Sequence, residues 1–131
     1  MENAITYSFE NVIAWQKAHC LVLLIYTVTR HFPEDETFGL TSQFRRAAVS
    51  IEANIAEGYK KLSKADKLRF FNIAQGSLEE CRDYHILSRD LGYINPSEFE
   101  SLHQCVEETS KFLNSYCKAI ANNVAMKDDV T

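Results

Sequence analysis

Apolar residues recur along this chain at helical spacing in four separate stretches. In the first, about Phe9 to Arg30, Val12, Trp15, His19, Val22, Leu23, Tyr26 and Thr29 follow one another at steps of mostly three or four residues. His31-Phe32-Pro33 ends that helix, because proline disfavours helical backbone at the residue before it. The second stretch begins near Leu40 or Thr41 and ends between Gly58 and Leu62, with Phe44, Ala47, Ala48, Ile51 and Ile55 as its stripe. The acidic run Glu34-Asp35-Glu36 suits its positive N-terminal end. Ser63 and Asp66 have capping-box spacing, which predicts a third helix from there to Gly92. Asn95-Pro96-Ser97-Glu98 combines an N-cap, a proline at the first helical position and an acidic first turn. It opens a fourth helix whose stripe is Phe99, Leu102, Val106, Phe112 or Leu113, Tyr116 and Ile120.

Four helices of similar length joined by short links predict an all-α fold, an antiparallel up-and-down four-helix bundle. Residues 1–121 form its single domain, and residues 122–131 are expected to be a frayed polar tail. The third helix carries more apolar surface than one seam can cover. At 100° per residue Ala74, Leu78, Cys81 and His85 lie within about 80° of Phe71, whereas Ile73, Leu87 and Leu91 lie about 160–200° away. That surplus predicts self-association, with the bundle assembled as a homo-oligomeric ring.

Composition supports this reading and narrows the function. With 131 residues, 4 Gly and 2 Pro, the chain is too short for two ordinary domains and too poor in turn residues for a sandwich or barrel. No stretch reaches 18 uninterrupted apolar residues and the N-terminus has no basic start, so a cytoplasmic protein without membrane contact is expected. Cys20, Cys81, Cys105 and Cys117 have no CxxC spacing and are expected to be reduced, packed thiols.

The net charge of −4 repels polyanions. The positive charge is nevertheless local: residues 41–69 hold seven basic and three acidic side chains. Lys60, Lys61, Lys64, Lys67 and Arg69 cluster at the turn between the second and third helices, beside Tyr59 and Phe70. They are either a solvated bundle end or a nucleic-acid-contacting rim, strengthened if symmetry repeats it.

Gln43, Arg46, Ser50, Asn54 and Glu57 share one flank of the second helix. They read as an interhelical network in which Arg46 and Glu57 compensate charges such as Glu79 or Glu80, or as a ligand site that includes Glu80. Catalytic signatures are missing. There is no Gly-x-Ser-x-Gly, no Walker loop and no Rossmann glycine run. Glu100-Ser101-Leu102-His103 is a single Glu-x-x-His, where a di-iron bundle needs two. No enzyme, no metal and no cofactor are expected.

The segment Gly39-Leu40-Thr41-Ser42-Gln43-Phe44-Arg45-Arg46-Ala47-Ala48-Val49-Ser50-Ile51 with Asn54-Ile55-Ala56-Glu57-Gly58 resembles a known family. So do Trp15-Gln16-Lys17-Ala18, Phe32-Pro33, Phe70-Phe71-Asn72-Ile73-Ala74-Gln75-Gly76-Ser77-Leu78-Glu79-Glu80 and Leu91-Gly92-Tyr93-Ile94. This is the four-helix bundle family encoded in intervening sequences of bacterial 23S ribosomal RNA genes. The resemblance implies a homopentamer of largely unassigned biochemical activity. It also implies a distant likeness to the pentameric accessory protein of diversity-generating retroelements, which binds nucleic acid and a reverse transcriptase. That relative is strongly basic, whereas this chain is acidic. The implied partners are further copies of the chain and RNA or a nucleic-acid-processing protein.

Overall fold

The computed structural model describes residues 8–122. Within them are four α-helices and no strand: α1 Ile13–Thr29, α2 Leu40–Lys60, α3 Lys64–Asp90 and α4 Pro96–Ala121. The expected tail beyond Asn122 lies outside the described residues.

Helix ends follow local chemistry. The first stretch begins later than its periodicity suggests, because Val12 takes an extended conformation and leaves Phe9–Asn11 as a separate 3-10 turn. That turn is capped by Ser8 and fastened by the Gln16 side chain, which donates to the Glu10 carbonyl at 2.8 Å. The acidic run forms a second 3-10 turn, Glu34–Glu36. Glu36 Oε1 accepts from the Leu40 N–H at 3.0 Å, satisfying an orphan donor of α2. At α3 the Ser63 hydroxyl accepts from the Asp66 N–H, while the Asp66 carboxylate leans toward Arg69. The reciprocal capping box appears at α4 instead, between Asn95 and Glu98. Gly92, at φ +78°, ends α3 in a Schellman turn, with the Tyr93 N–H on the Ser88 carbonyl and its own N–H on the Arg89 carbonyl.

Each helix packs on the helix that follows it in sequence, and α1 closes the square against α4. Antiparallel register is visible in paired contacts. Along α2 and α3, Gly58 meets Phe71 while Ser50 meets Ser77; along α3 and α4, Gln75 meets Asn114 and His85 meets Phe99. The core comprises the expected α2 stripe, the Phe71, Ala74, Leu78, Cys81 arc of α3, and Leu102, Val106, Leu113 and Tyr116 of α4.

On α1 the expected stripe is buried at Val12, Val22 and Thr29 and packs on the core at Trp15, but the buried face is wider on one side and lacks two of the expected members. Ala14, Ala18, Leu21, Val22, Ile25 and Val28 are inside, and Leu23 and Tyr26 are outside. Alanines fit where α1 approaches its neighbours closely, and a stripe drawn through the larger residues misses them. Cys20 is likewise exposed, against the expectation of a packed thiol. Burial pushes the thiol of Cys81 up to about 12 and those of Cys105 and Cys117 to about 11. All four are free.

Candidate functional site

The polar flank of α2 faces α3 across an open depression of about 260 Å³, lined by Gln43, Arg46, Ala47, Ser50 and Glu80. Four of the six residues expected to act together therefore meet. At its floor Ser50 Oγ lies 2.8 Å from Ser77 Oγ, and the Asn54 amide donates to the Ser50 carbonyl and hydroxyl. Ser77 belongs to this network although its sequence surroundings give no signal. A small residue facing α2 becomes recognisable only once the register is known.

The expected charge compensation does not form. Arg46, Glu80 and Gln43 are exposed, and their side chains make no hydrogen bond or ion pair among the described residues. Glu79 pairs with Arg82, which also reaches Glu107 on α4. Glu57 sits beyond the depression and pairs with Lys61, one turn along α2, at 3.2 Å. Helical spacing put these groups on one flank. It did not set their height above the α2–α3 seam, and the charged ends stay in solvent, where desolvation costs nothing.

The apolar surplus of α3 continues from this depression. Ile73 is 44% exposed, Leu87 42% and Leu91 48%, and Val49 of α2 is 40% exposed. Gly76, between Ile73 and Glu80, has nothing within 4 Å of where a Cβ would stand. A glycine inside a helix costs about 0.5–1 kcal/mol relative to alanine, and no contact among the described residues requires this one.

The five basic residues gather at the opposite end from Gly92, around the α2–α3 turn, and most are engaged by their own chain. Lys67 Nζ donates to the Tyr59 carbonyl at 2.7 Å and lies near that of Gly58, at the C-terminal end of α2. Lys64 Nζ donates to the Ala121 carbonyl at the end of α4. Both meet the negative ends of helix dipoles. Lys61 is held by Glu57 and lies over the Phe70 ring, which Arg69 covers from 4.5 Å while pairing with Asp66. Partial burial lowers the affinity of Lys67 for its proton. Lys60 makes no such contact among the described residues, and it borders a hollow of about 310 Å³ shared with Ser8, Phe9, Ala56 and Tyr59.

Three further polar groups were not singled out by the sequence. His19 Nδ1 lies 3.0 Å from Glu52 Oε1 and stacks on Trp15. His85, buried in α3, lies against the Phe99 ring, and its Nε2 is 2.9 Å from the Phe99 carbonyl, so that nitrogen carries a proton. Desolvation depresses its proton affinity, against the pull of the Phe99 carbonyl. The Tyr93 hydroxyl donates to Glu36 Oε2 at 2.8 Å, joining the α3–α4 link to the α1–α2 link. Among the described residues, no group of three or more His, Cys, Asp or Glu side chains is placed to hold a metal ion. None of the helices is long and apolar enough to cross a membrane.

A closed square of four antiparallel helices, with a wet apolar face and no assembled catalytic group among the described residues, defines a four-helix bundle protein. The chain belongs to the family described as 23S rRNA-intervening sequence protein, which matches residues 10–115. A similar solved structure is that of a protein of unknown function from the S23 ribosomal protein family of Bacteroides thetaiotaomicron. It is 27% identical, with a TM-score of 0.74 over 80% of this chain and 98% of that one. No curated protein matches the sequence.

Proposed function

We propose that this protein is a non-enzymatic, self-associating scaffold of the cytoplasm, its subunits meeting through the α2–α3 face in a homo-oligomeric ring. One observation carries the reading: the side of α3 bearing Ile73, Leu87 and Leu91 stays wet although the core is complete without it. Contact with another copy would remove this apolar surface from water at roughly 25 cal/mol per Å². Gly76 supports the same reading, because a bare backbone in mid-helix lets a neighbouring helix approach closely. Arg46 and Glu80, which have no ion pair among the described residues, would find partners of opposite sign on the facing subunit. A closed ring is the way identical heterologous contacts end without forming a filament. Family resemblance favours five copies.

Mass in solution tests this. The assembly predicts about 75 kDa, five times the 15.0 kDa of one chain, falling to one chain for Ile73→Asp and Leu87→Asp while helical circular dichroism persists. Leu23→Asp, on exposed α1 surface, should leave the mass unchanged. A wild-type mass of one chain refutes the reading.

The partner proposed for the scaffold is RNA or a nucleic-acid-processing protein, with Lys60, which has no ion pair among the described residues, as the cation to meet phosphate. One cation per subunit is a weak ligand, and a ring would repeat it. RNA binding on this rim must weaken steeply with salt and be lost in Lys60→Glu. Salt-insensitive binding, or none at low salt, removes RNA from the proposal. The competing reading, a small-molecule site at Arg46 and Glu80, predicts a ligand lost in Arg46→Ala from a protein whose mass is unaltered.

A further inference from the structure

The seam between α1 and α4 holds two cysteines that the scaffold reading does not use. Lys17 Nζ of α1 sits 3.1 Å from Glu108 Oε1 of α4. The two helices run antiparallel, so three residues forward on α1 correspond to three residues back on α4. That step leads from Lys17 to Cys20 and from Glu108 to Cys105. Helix axes about 8–10 Å apart, with Cα atoms about 2.3 Å from each axis, let Cα atoms across a seam approach to about 3.4–5.4 Å at the least, so residues somewhat off the line between the axes reach the range a disulfide spans, about 4.4–6.8 Å.

The electrostatics place the same groups together. Burial is the largest cause raising the Cys105 thiol, Cys20 is the next, and Glu108 and Lys17 also act on it. Cys20 is exposed and Cys105 partly buried. Cys81, by contrast, is sealed in the core face of α3.

We propose that Cys20 and Cys105 are a redox-responsive thiol pair, closing to an intrachain disulfide between α1 and α4 on exposure to a peroxide. The exposed Cys20 thiolate attacks one peroxide oxygen. The O–O bond breaks, and the departing hydroxide takes a proton to leave as water, so Cys20 becomes a sulfenic acid. Cys105 sulfur then attacks the Cys20 sulfur. The S–O bond breaks, hydroxide leaves and is protonated to water by the proton Cys105 gave up, and the S–S bond forms. The pair loses two electrons and two protons, and the peroxide is reduced to two molecules of water. An external thiol reverses the bond by exchange. Burial of Cys105 assigns the roles, because a thiol pushed to about 11 is almost wholly protonated at neutral pH and serves as the slower, resolving partner. The seam lies across the bundle from the α2–α3 face, so the pair does not depend on the assembly.

The test treats the reduced full chain with hydrogen peroxide, blocks remaining thiols by alkylation and maps digested peptides by mass spectrometry. The expected product has lost about 2 Da and contains one cross-link, Cys20 to Cys105, removed by dithiothreitol. Closure should accelerate by up to about tenfold per pH unit between pH 7 and 9, as the Cys105 thiolate fraction rises. In Cys105→Ser the sulfenic acid of Cys20 should become trappable by dimedone, and in Cys20→Ser no cross-link should form. A dominant Cys20 to Cys20 link between chains, a bond involving Cys81 or Cys117, or oxidised Cys20 beside a fully alkylatable Cys105 in the wild type overturns the proposal.

Discussion

Replacing Gly58 by alanine adds one methyl group where α2 packs against the Phe70 and Phe71 side chains of α3. A Cβ at this position would stand 2.6 Å from Phe71 Cε1, 2.9 Å from Cδ1 and 3.1 Å from the Phe70 Cβ. Carbon atoms prefer about 3.5–4.0 Å, so the Phe71 ring must retreat by about an ångström or the helices must separate. The ring has no free space to enter, being fully buried and packed against Tyr116 with centroids 5.0 Å apart. Overpacking of this kind costs about 1–3 kcal/mol. Alanine returns up to about 1 kcal/mol through helix propensity, less here because Gly58 is two residues from the end of α2. The expected net is a loss of about 1–2 kcal/mol, or about 4–8 °C in Tm. Urea unfolding in the dissociated Ile73→Asp background isolates the effect from assembly. In that background Gly76→Ala, which meets open space, should stabilise by about 0.5–1 kcal/mol. Phe71→Leu should relieve part of the Gly58→Ala loss in a double-mutant cycle. If both glycine substitutions stabilise alike, the steric account of Gly58 is wrong.

The remaining predictions concern charge. His85 has its proton affinity lowered in the folded state, so folding favours the neutral ring. Stability is then fully present above the unfolded value near 6.5 and declines as pH falls below it, by at most about 1.4 kcal/mol per pH unit. Urea midpoints from pH 7.5 to 5 should show a decline that His85→Gln reduces; equal slopes would contradict it. Glu36 has its carboxyl lowered by the Leu40 N–H first and the Tyr93 hydroxyl second, so its stabilising effect is lost as pH falls through the folded value. Tyr93→Phe should raise the Glu36 carboxyl toward the ordinary range in an NMR titration, and an unmoved titration would count against the clamp. Lys67→Met should cost about 1 kcal/mol in urea unfolding by freeing the α2 terminal carbonyls, whereas Lys60→Glu should cost little. The reverse order would mean that the rim has been misassigned.

How much of this molecule its sequence determined differs between fold and site. Periodicity, Pro33, Gly92 and the Asn95-Pro96 start place four helices, since capping and backbone preference act within a few residues and need no partner. The shared flank of Gln43, Arg46 and Ser50 was also legible, because one helix sets its own angular order. Tertiary structure decided the rest. Which α1 face turns inward depends on how α2 and α4 pack on it, and that packing buries Ala14 and Ala18 and leaves Leu23 and Tyr26 exposed. Arg46 and Glu80 could be matched on paper, yet their separation across the depression follows from the α2–α3 spacing. Lys64 and Lys67 look like free charge until helix ends arrive beside them with unpaired carbonyls. The Ser50–Ser77 contact and the pairing of Lys17 with Glu108 belong to interhelical register, which distributed packing fixes and no local run of residues records.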